Sequence, residues 1–128
     1  LYEGVELEND VFCGPSCVFT NDLTPRAKYP KGSAGYKRTL VKEGASIGAN
    51  ATVVCGHTVG KWALIGAGAV VASDVPDHAL MLGIPAKQEG WVCTCGQKLC
   101  PNGVTYYRCP DCGRNYRLRD DSQIEEIK

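Results

Sequence analysis

The chain has 128 residues, enough for one domain with a small appendage rather than two large cores. Its 14 basic and 14 acidic residues balance, which argues against a general nucleic-acid-binding or membrane-binding surface. There is no run of about 18 apolar residues to span a membrane, and the opening Leu-Tyr-Glu-Gly-Val-Glu does not read as a secretory signal.

Aliphatic residues return at every sixth position. Val41, Ile47, Val53, Val59, Ile65 and Val71 hold that period, and Val5, Val11 and Cys17 keep the same spacing upstream. A hexapeptide period is a signature of a parallel β-helix, in which residues one triangular coil apart stack about 4.8 Å above each other. An α-helix would instead show a period of about 3.6. Small residues two places before an aliphatic one, at Ala45, Ala51, Ala63 and Ala69, suit positions near the corners. Gly48, Gly60 and Gly66 follow the aliphatic positions, where a tight corner asks for backbone freedom. The repeat is already in phase at the first residue, so earlier coils of a longer protein are expected.

Residues 1–21 read as solenoid, and residues 22–38 interrupt it as a loop rich in turn formers, among them Pro25, Pro30, Gly32 and Gly35. Arg26, Lys28, Lys31, Lys37 and Arg38 make this loop basic. Two readings stand: a solvated flap, or a positively charged lid over an anionic ligand. The repeat resumes at Val41 and runs to about Pro76, and Gly83-Ile84-Pro85-Ala86-Lys87 closes the solenoid. The expected division is residues 1–90 as β-helix, 91–119 as a cysteine-rich appendage, and 120–128 as a short helix or frayed tail.

Five of the eight cysteines fall between residues 93 and 112. Cys93 and Cys95 form C-x-C-G, and Cys109 and Cys112 form C-P-D-C-G. Short-spaced thiols followed by glycine read as the two knuckles of a zinc ribbon, a closed four-thiolate site with no open position for substrate. The first knuckle is a residue short, so Cys100 is either a spare thiol or a replacement for one of the first pair. A disulfide pair and an unmetallated or redox role are the alternatives. Trp91, Tyr106, Tyr107 and Tyr116 supply apolar bulk, and metal would offset so small a core. Arg108, Arg114, Arg117 and Arg119 are compensated by Asp120, Asp121, Glu125 and Glu126, which disfavours nucleic-acid binding. With no secretory signal, the reducing cytoplasm is the expected compartment.

The segments Val11 to Ser16, Phe19-Thr20-Asn21-Asp22 with Pro25-Arg26, the basic loop, Thr39 to Lys42, Gly44 to Thr52 and Gly83 to Lys87 resemble the left-handed β-helix acyltransferases. Within that family they are most similar to nucleotide-sugar N-acetyltransferases, over roughly residues 1–92. The resemblance implies an all-β, left-handed coil, contrary to the usual right-handed crossover. It also implies acetyl-CoA as donor, a nucleotide-linked amino sugar as acceptor, and a homotrimer with sites in the grooves between subunits.

By the same resemblance Asn21 would hold the sugar amine, with Asp22 and Arg26 beside it. Stacking arithmetic, with the loop counted as about one coil, sets Val53 over Cys17 and His57 over Asn21. His57 is then a candidate general base. Ala49, Ala67 and Pro85, spaced one coil apart, would form a row for the pantetheine arm, with Lys87 meeting the CoA phosphates. Two alternatives remain: an O- or N-acetyltransferase with another acceptor, and a non-catalytic trimeric scaffold whose ribbon recruits a partner.

Overall fold

The computed structural model describes residues 4–30 and 37–127, so Lys31, Gly32 and Gly35 of the basic loop lie outside the described residues. Three parallel ladders run along the solenoid. One joins β1 (Val5–Leu7), β4 (Thr39–Val41) and β7 (Thr58–Val59). A second joins β2 (Phe12–Cys13), β5 (Ser46–Ile47), β8 (Leu64–Ile65) and β10 (Ala79–Leu82), and a third joins β3 (Val18–Phe19), β6 (Thr52–Val53) and β9 (Val70–Val71). Successive strands belong to successive ladders, the arrangement of a parallel β-helix, and the fold is the expected left-handed one.

The six periodic aliphatics from Val41 to Val71 are each at most 1% exposed, as are Ala45, Ala51, Ala63 and Ala69. Each buried Val or Ile stabilises the coil by about 1.5–3 kcal/mol relative to an exposed one. The glycine reading needs correction. The left-handed backbone recurs at Gly44, Asn50, Gly56, Trp62 and Gly68, with φ between 57 and 88°, and not at Gly48, Gly60 or Gly66. Those three are small because neighbouring coils approach them. A Cβ on Gly48 would stand 2.6 Å from the Ala67 amide nitrogen, and one on Gly60 would stand 2.5 Å from that of Asp77. Trp62 accepts a left-handed conformation and lays its ring against Gly44, where a Cβ would overlap the indole.

Upstream of the loop the phase differs from the sequence reading. Val18 pairs with Thr52 and Phe19 with Val53, so Leu7, Cys13 and Phe19 stack with the inward aliphatics. Val5 instead faces Thr39, and by the same register Val11 and Cys17 fall in the small-residue slots. The excursion between Asn21 and Thr39 is not a whole number of coils, and the core accepts only the phase that buries Phe19, which is 4% exposed. The last coil is also short. Val75 bridges Val59, and Leu80 and Met81 pair with Leu64 and Ile65.

Strand β10 folds back into β11 (Lys87–Trp91), and the chain continues into an antiparallel sheet of β12 (Cys100–Pro101), β13 (Tyr106–Arg108), β14 (Asn115–Asp120) and β15 (Gln123–Ile127). The tail expected after residue 119 is thus neither helical nor frayed through Ile127. Strand β15 pairs with β14, Arg117 meets Glu125 at 2.8 Å across them, and Ile124 is buried. One continuous apolar cluster runs from Phe19 through Trp91, Leu99 and Tyr116 to Ile124. None of the described residues is helical.

Two glycine substitutions separate close approach from backbone strain. Gly48→Ala should cost about 1–3 kcal/mol because two backbones must part. Gly68→Ala, with φ of 73° and nothing within 4 Å of the added carbon, should cost only about 1–2 kcal/mol through its conformation. Thermal denaturation checks this, and a milder effect at Gly48 would refute the packing account.

Candidate active site and thiol cluster

The loop leaves and re-enters the solenoid at one corner. Lys37 donates its amide to the Asn21 carbonyl at 2.9 Å, and Gly56 donates to the Arg38 carbonyl at 2.8 Å. Thr20 donates its amide to Val53 and accepts the Cys55 amide on Oγ1, so Asn21 lies level with Cys55 rather than under His57. His57 stacks above Thr39, since Leu40 and Val41 pair with Thr58 and Val59. The expected stack of His57 on Asn21 therefore does not form, for the same phase reason that moves Val5, Val11 and Cys17.

His57 occupies the slot that alanine fills elsewhere, yet its side chain is 27% exposed and turned toward Asp74, with Nδ1 3.6 Å from Oδ1. Asp74 comes from the shortened last coil and also accepts the Thr58 amide at 2.9 Å. A carboxylate facing Nδ1 favours the tautomer protonated there, leaving Nε2 as a proton acceptor. Sequence reasoning missed Asp74. Its signal was the break in the repeat just before Pro76, which shortens the coil and carries Asp74 up to His57.

A recess of about 220 Å³ opens beside this pair, lined by Glu6, Arg38, Thr39 and His57 among others. Thr39 is buried, and its hydroxyl has no hydrogen-bond partner among the described residues. An unpaired buried hydroxyl is uncommon and calls for a reason. Asn21, Asp22 and Arg26 are outside the recess lining. Asn21 and Asp22 are half-buried at the loop base, Asp22 accepts the Thr24 amide at 2.9 Å, and Arg26 is exposed.

Of the row proposed for CoA, Ala49 and Ala67 do stack, with Gly68 donating to the Ala49 carbonyl at 2.9 Å. Pro85 does not continue it, because the short coil sets Gly83 level with Ala67. Lys87 is exposed at the start of β11, opposite Leu82.

Cys93, Cys95, Cys109 and Cys112 converge, with all four sulfurs within 4.8 Å of one another. The Cys93–Cys112 and Cys95–Cys109 pairs are each 3.5 Å apart. Each knuckle turns on a left-handed glycine, Gly96 and Gly113, so the shorter first knuckle still reaches. Cys100 is exposed on β12 and not part of the cluster. The Arg114 amide leads in drawing the Cys112 thiol down to about 6, assisted by Cys93 and the Arg114 guanidinium, whose Nη1 is 3.2 Å from Sγ. The Gln97 amide favours the Cys95 thiolate, but desolvation and protons shared with Cys109, Cys93 and Cys112 outweigh it and lift that thiol to about 12.

No family model matches the chain. It is 46% identical over 85 residues to a dTDP-3-amino-3,6-dideoxy-α-D-galactopyranose 3-N-acetyltransferase from Aneurinibacillus thermoaerophilus, covering 66% of this chain and 43% of the relative. It is 34% identical to the Escherichia coli serine acetyltransferase over 84 residues, covering 62% and 31% of the two chains. Among solved structures, PerB from Caulobacter crescentus with CoA and GDP-perosamine superposes with a TM-score of 0.54 at 30% identity, covering 68% of this chain and 34% of that one. Over its solenoid the chain is similar to hexapeptide-repeat acyltransferases. The Vibrio cholerae hexapeptide-repeat acetyltransferase VCA0836, bound to acetyl-CoA, shares the fold with a TM-score of 0.58 at 20% identity, over 70% of this chain and 61% of that one. The chain thus spans less than half the length of the sequence relatives it matches.

His78 joins the solenoid to the thiol-bearing sheet. It is buried, its Nδ1 pairs with the Val92 carbonyl at 2.9 Å, and its ring meets Tyr116 edge-on at 5.2 Å. The Tyr116 hydroxyl donates to Cys93 Sγ at 3.3 Å and accepts the Thr94 amide at 3.1 Å. Burial holds the His78 imidazolium below its ordinary range, partly opposed by the Val92 carbonyl, Asp77 and Glu126. The unfolded chain therefore takes up this proton at higher pH than the folded one. Stability is full above about pH 6.5 and falls as the pH drops from there toward the lowered folded value. Melting temperatures across that range should fall in the parent and lose this component in His78→Gln; matching slopes would refute the assignment.

Proposed function

We propose that this chain is part of an acetyltransferase that moves the acetyl group of acetyl-CoA to the amine of a nucleotide-linked amino sugar. The observation carrying the reading is the His57–Asp74 pair at the mouth of a recess beside the loop's re-entry point, on a solenoid similar to sugar N-acetyltransferases. The Aneurinibacillus relative is named for a dTDP-amino sugar, and PerB was solved with CoA and GDP-perosamine.

The neutral amine attacks the thioester carbon, the C–N bond forms, and the carbonyl becomes an oxyanion that calls for hydrogen-bond donors. As the C–S bond breaks, the electron pair leaves on the CoA sulfur. His57 Nε2 takes the proton released by the amine and returns it to that thiolate, while Asp74 holds the ring's orientation. Asn21 orients the acceptor amine from the loop base, with Asp22 and Arg26 beside it. The stacked Ala49 and Ala67 leave room for the pantetheine arm, with Lys87 serving its phosphates. Pro85, out of that stack, would reach the arm only from the adjoining edge. The working assembly is a homotrimer in the cytoplasm, with neighbouring subunits completing each groove.

Cys93, Cys95, Cys109 and Cys112 would hold a structural zinc ion. Zinc–sulfur bonds of about 2.3 Å in a tetrahedron set the sulfurs about 3.8 Å apart, and the observed spacing suits that edge. Bound metal would tie the two knuckles together and supply no chemistry to the acetyl transfer.

His57→Asn should lower kcat by about 10²–10⁴-fold and leave acetyl-CoA binding intact, as read by thioester consumption and calorimetry. Asp74→Asn should cost less. An unchanged kcat would mean that the amine arrives neutral and needs no base. If CoA fails to raise the melting temperature of the parent, the enzyme reading itself fails.

Elemental analysis should find about one zinc per chain in the parent and in Cys100→Ser, and little in Cys109→Ser. Uptake should weaken as pH falls, because the metal must displace the thiol protons. Less than about half an equivalent in the parent would reject the site.

A further inference from the structure

A larger cavity, of about 710 Å³, adjoins the recess beside His57. Its volume is in the range of small-molecule sites, about 300–1,000 Å³. One wall belongs to the solenoid and carries Lys42, Thr58, Asp74 and Asp77; the other is the β14–β15 hairpin, with Arg119, Ser122, Gln123 and Glu125. Thr58 lines this cavity and the His57 recess, so the two meet at that residue. The sheet carrying the thiols therefore overhangs the solenoid face that presents the His57–Asp74 pair.

The polar groups here have a particular balance. Lys42 makes no ion pair among the described residues, and Arg119 Nε is 3.8 Å from Glu125, whose other oxygen is held by Arg117 at 2.8 Å. Asp74 and Asp77 share the solenoid wall with Lys42, accepting the Thr58 and Lys61 amides. Both walls carry a cation and a carboxylate, a mixture that suits neither a bare phosphate nor an apolar group. They suit a ligand that donates and accepts at many points, such as a hydroxylated ring bearing an amine. The hairpin tip is pinned, since Asp120 accepts both the amide and the hydroxyl of Ser122 at 2.8 Å. A fixed wall recognises shape better than a mobile one.

We propose that the β14–β15 hairpin is the outer wall of the acceptor site, with Arg119, Ser122 and Gln123 reading the hydroxyl groups of the amino-sugar ring. This rests on the acetyltransferase reading above. The thiol-bearing sheet is then a specificity element of the enzyme, positioned by its own fold over the reacting face.

The test compares the affinities, by calorimetry, of UDP- and dTDP-linked amino sugars with those of UDP and dTDP alone, so that the ratio isolates the sugar's contribution. The parent should bind at least one amino-sugar nucleotide more tightly than its nucleoside diphosphate. Arg119→Ala should reduce that preference about tenfold, as expected for loss of a charged hydrogen bond, and Ser122→Trp, which fills the cavity, should abolish it. Affinity for acetyl-CoA and the assembly mass by light scattering should not change. A parent with no preference for the sugar, or variants that keep it, would overturn the inference. A fall in assembly mass in Ser122→Trp would overturn it in favour of a cavity filled by a second copy of the chain. Thioester turnover measured in parallel keeps the two readings apart. Turnover with normal KM in both variants defeats the hairpin's role and leaves the reaction standing, whereas a lost sugar preference without turnover in the parent does the reverse.

Discussion

The circumference of the coil governs this molecule. Three short strands per turn return each inward aliphatic above the one before, and the column from Val41 to Val71 excludes water almost completely. A side chain in that column cannot slip by one residue without turning its neighbours outward, so any insertion or deletion must be absorbed elsewhere. Two places absorb it. The loop after Asn21 lets the upstream coil choose the phase that buries Phe19, and the last coil closes two residues early against Val59 and Ile65.

Both irregularities shape the candidate site. The loop returns with Lys37 tied to Asn21 and Arg38 beside Gly56, which brings a basic residue to the edge of the His57 recess. The shortened coil lifts Asp74 to the imidazole. A perfectly regular solenoid would offer neither contact. Regularity supplies the rigid scaffold, and the departures from it bring together the polar groups of the candidate site, as expected where unusual local geometry is needed.

The thiol-bearing sheet is continuous with this scaffold. Strand β11 leaves β10 directly, the apolar cluster passes through Trp91 and Tyr116 without a gap, and the His78–Tyr116 contact carries the solenoid's last coil to within a hydrogen bond of Cys93. Chain order also sets the hairpin after the thiol turns, so holding the knuckles holds the wall of the large cavity.

The six-residue period identified the β-helix from sequence because each inward residue is chosen locally by a core that cannot accept a polar or bulky substitute. The C-x-C-G and C-P-D-C-G spacings likewise identified the four clustered thiols, and set Cys100 apart as the residue in question, because short turns fix which sulfurs can meet. The period could not disclose phase across the loop. Val5, Val11 and Cys17 fit the spacing as well as Leu7, Cys13 and Phe19 do, and only burial against the neighbouring coil chooses between them. For the same reason the stack of His57 on Asn21, the place of Pro85, the strand formed by Gln123–Ile127 and the approach of Asp74 to His57 were decided by tertiary structure. Each depends on which residues lie one coil or one strand away in space, a quantity that spacing along the chain determines only while the repeat is unbroken.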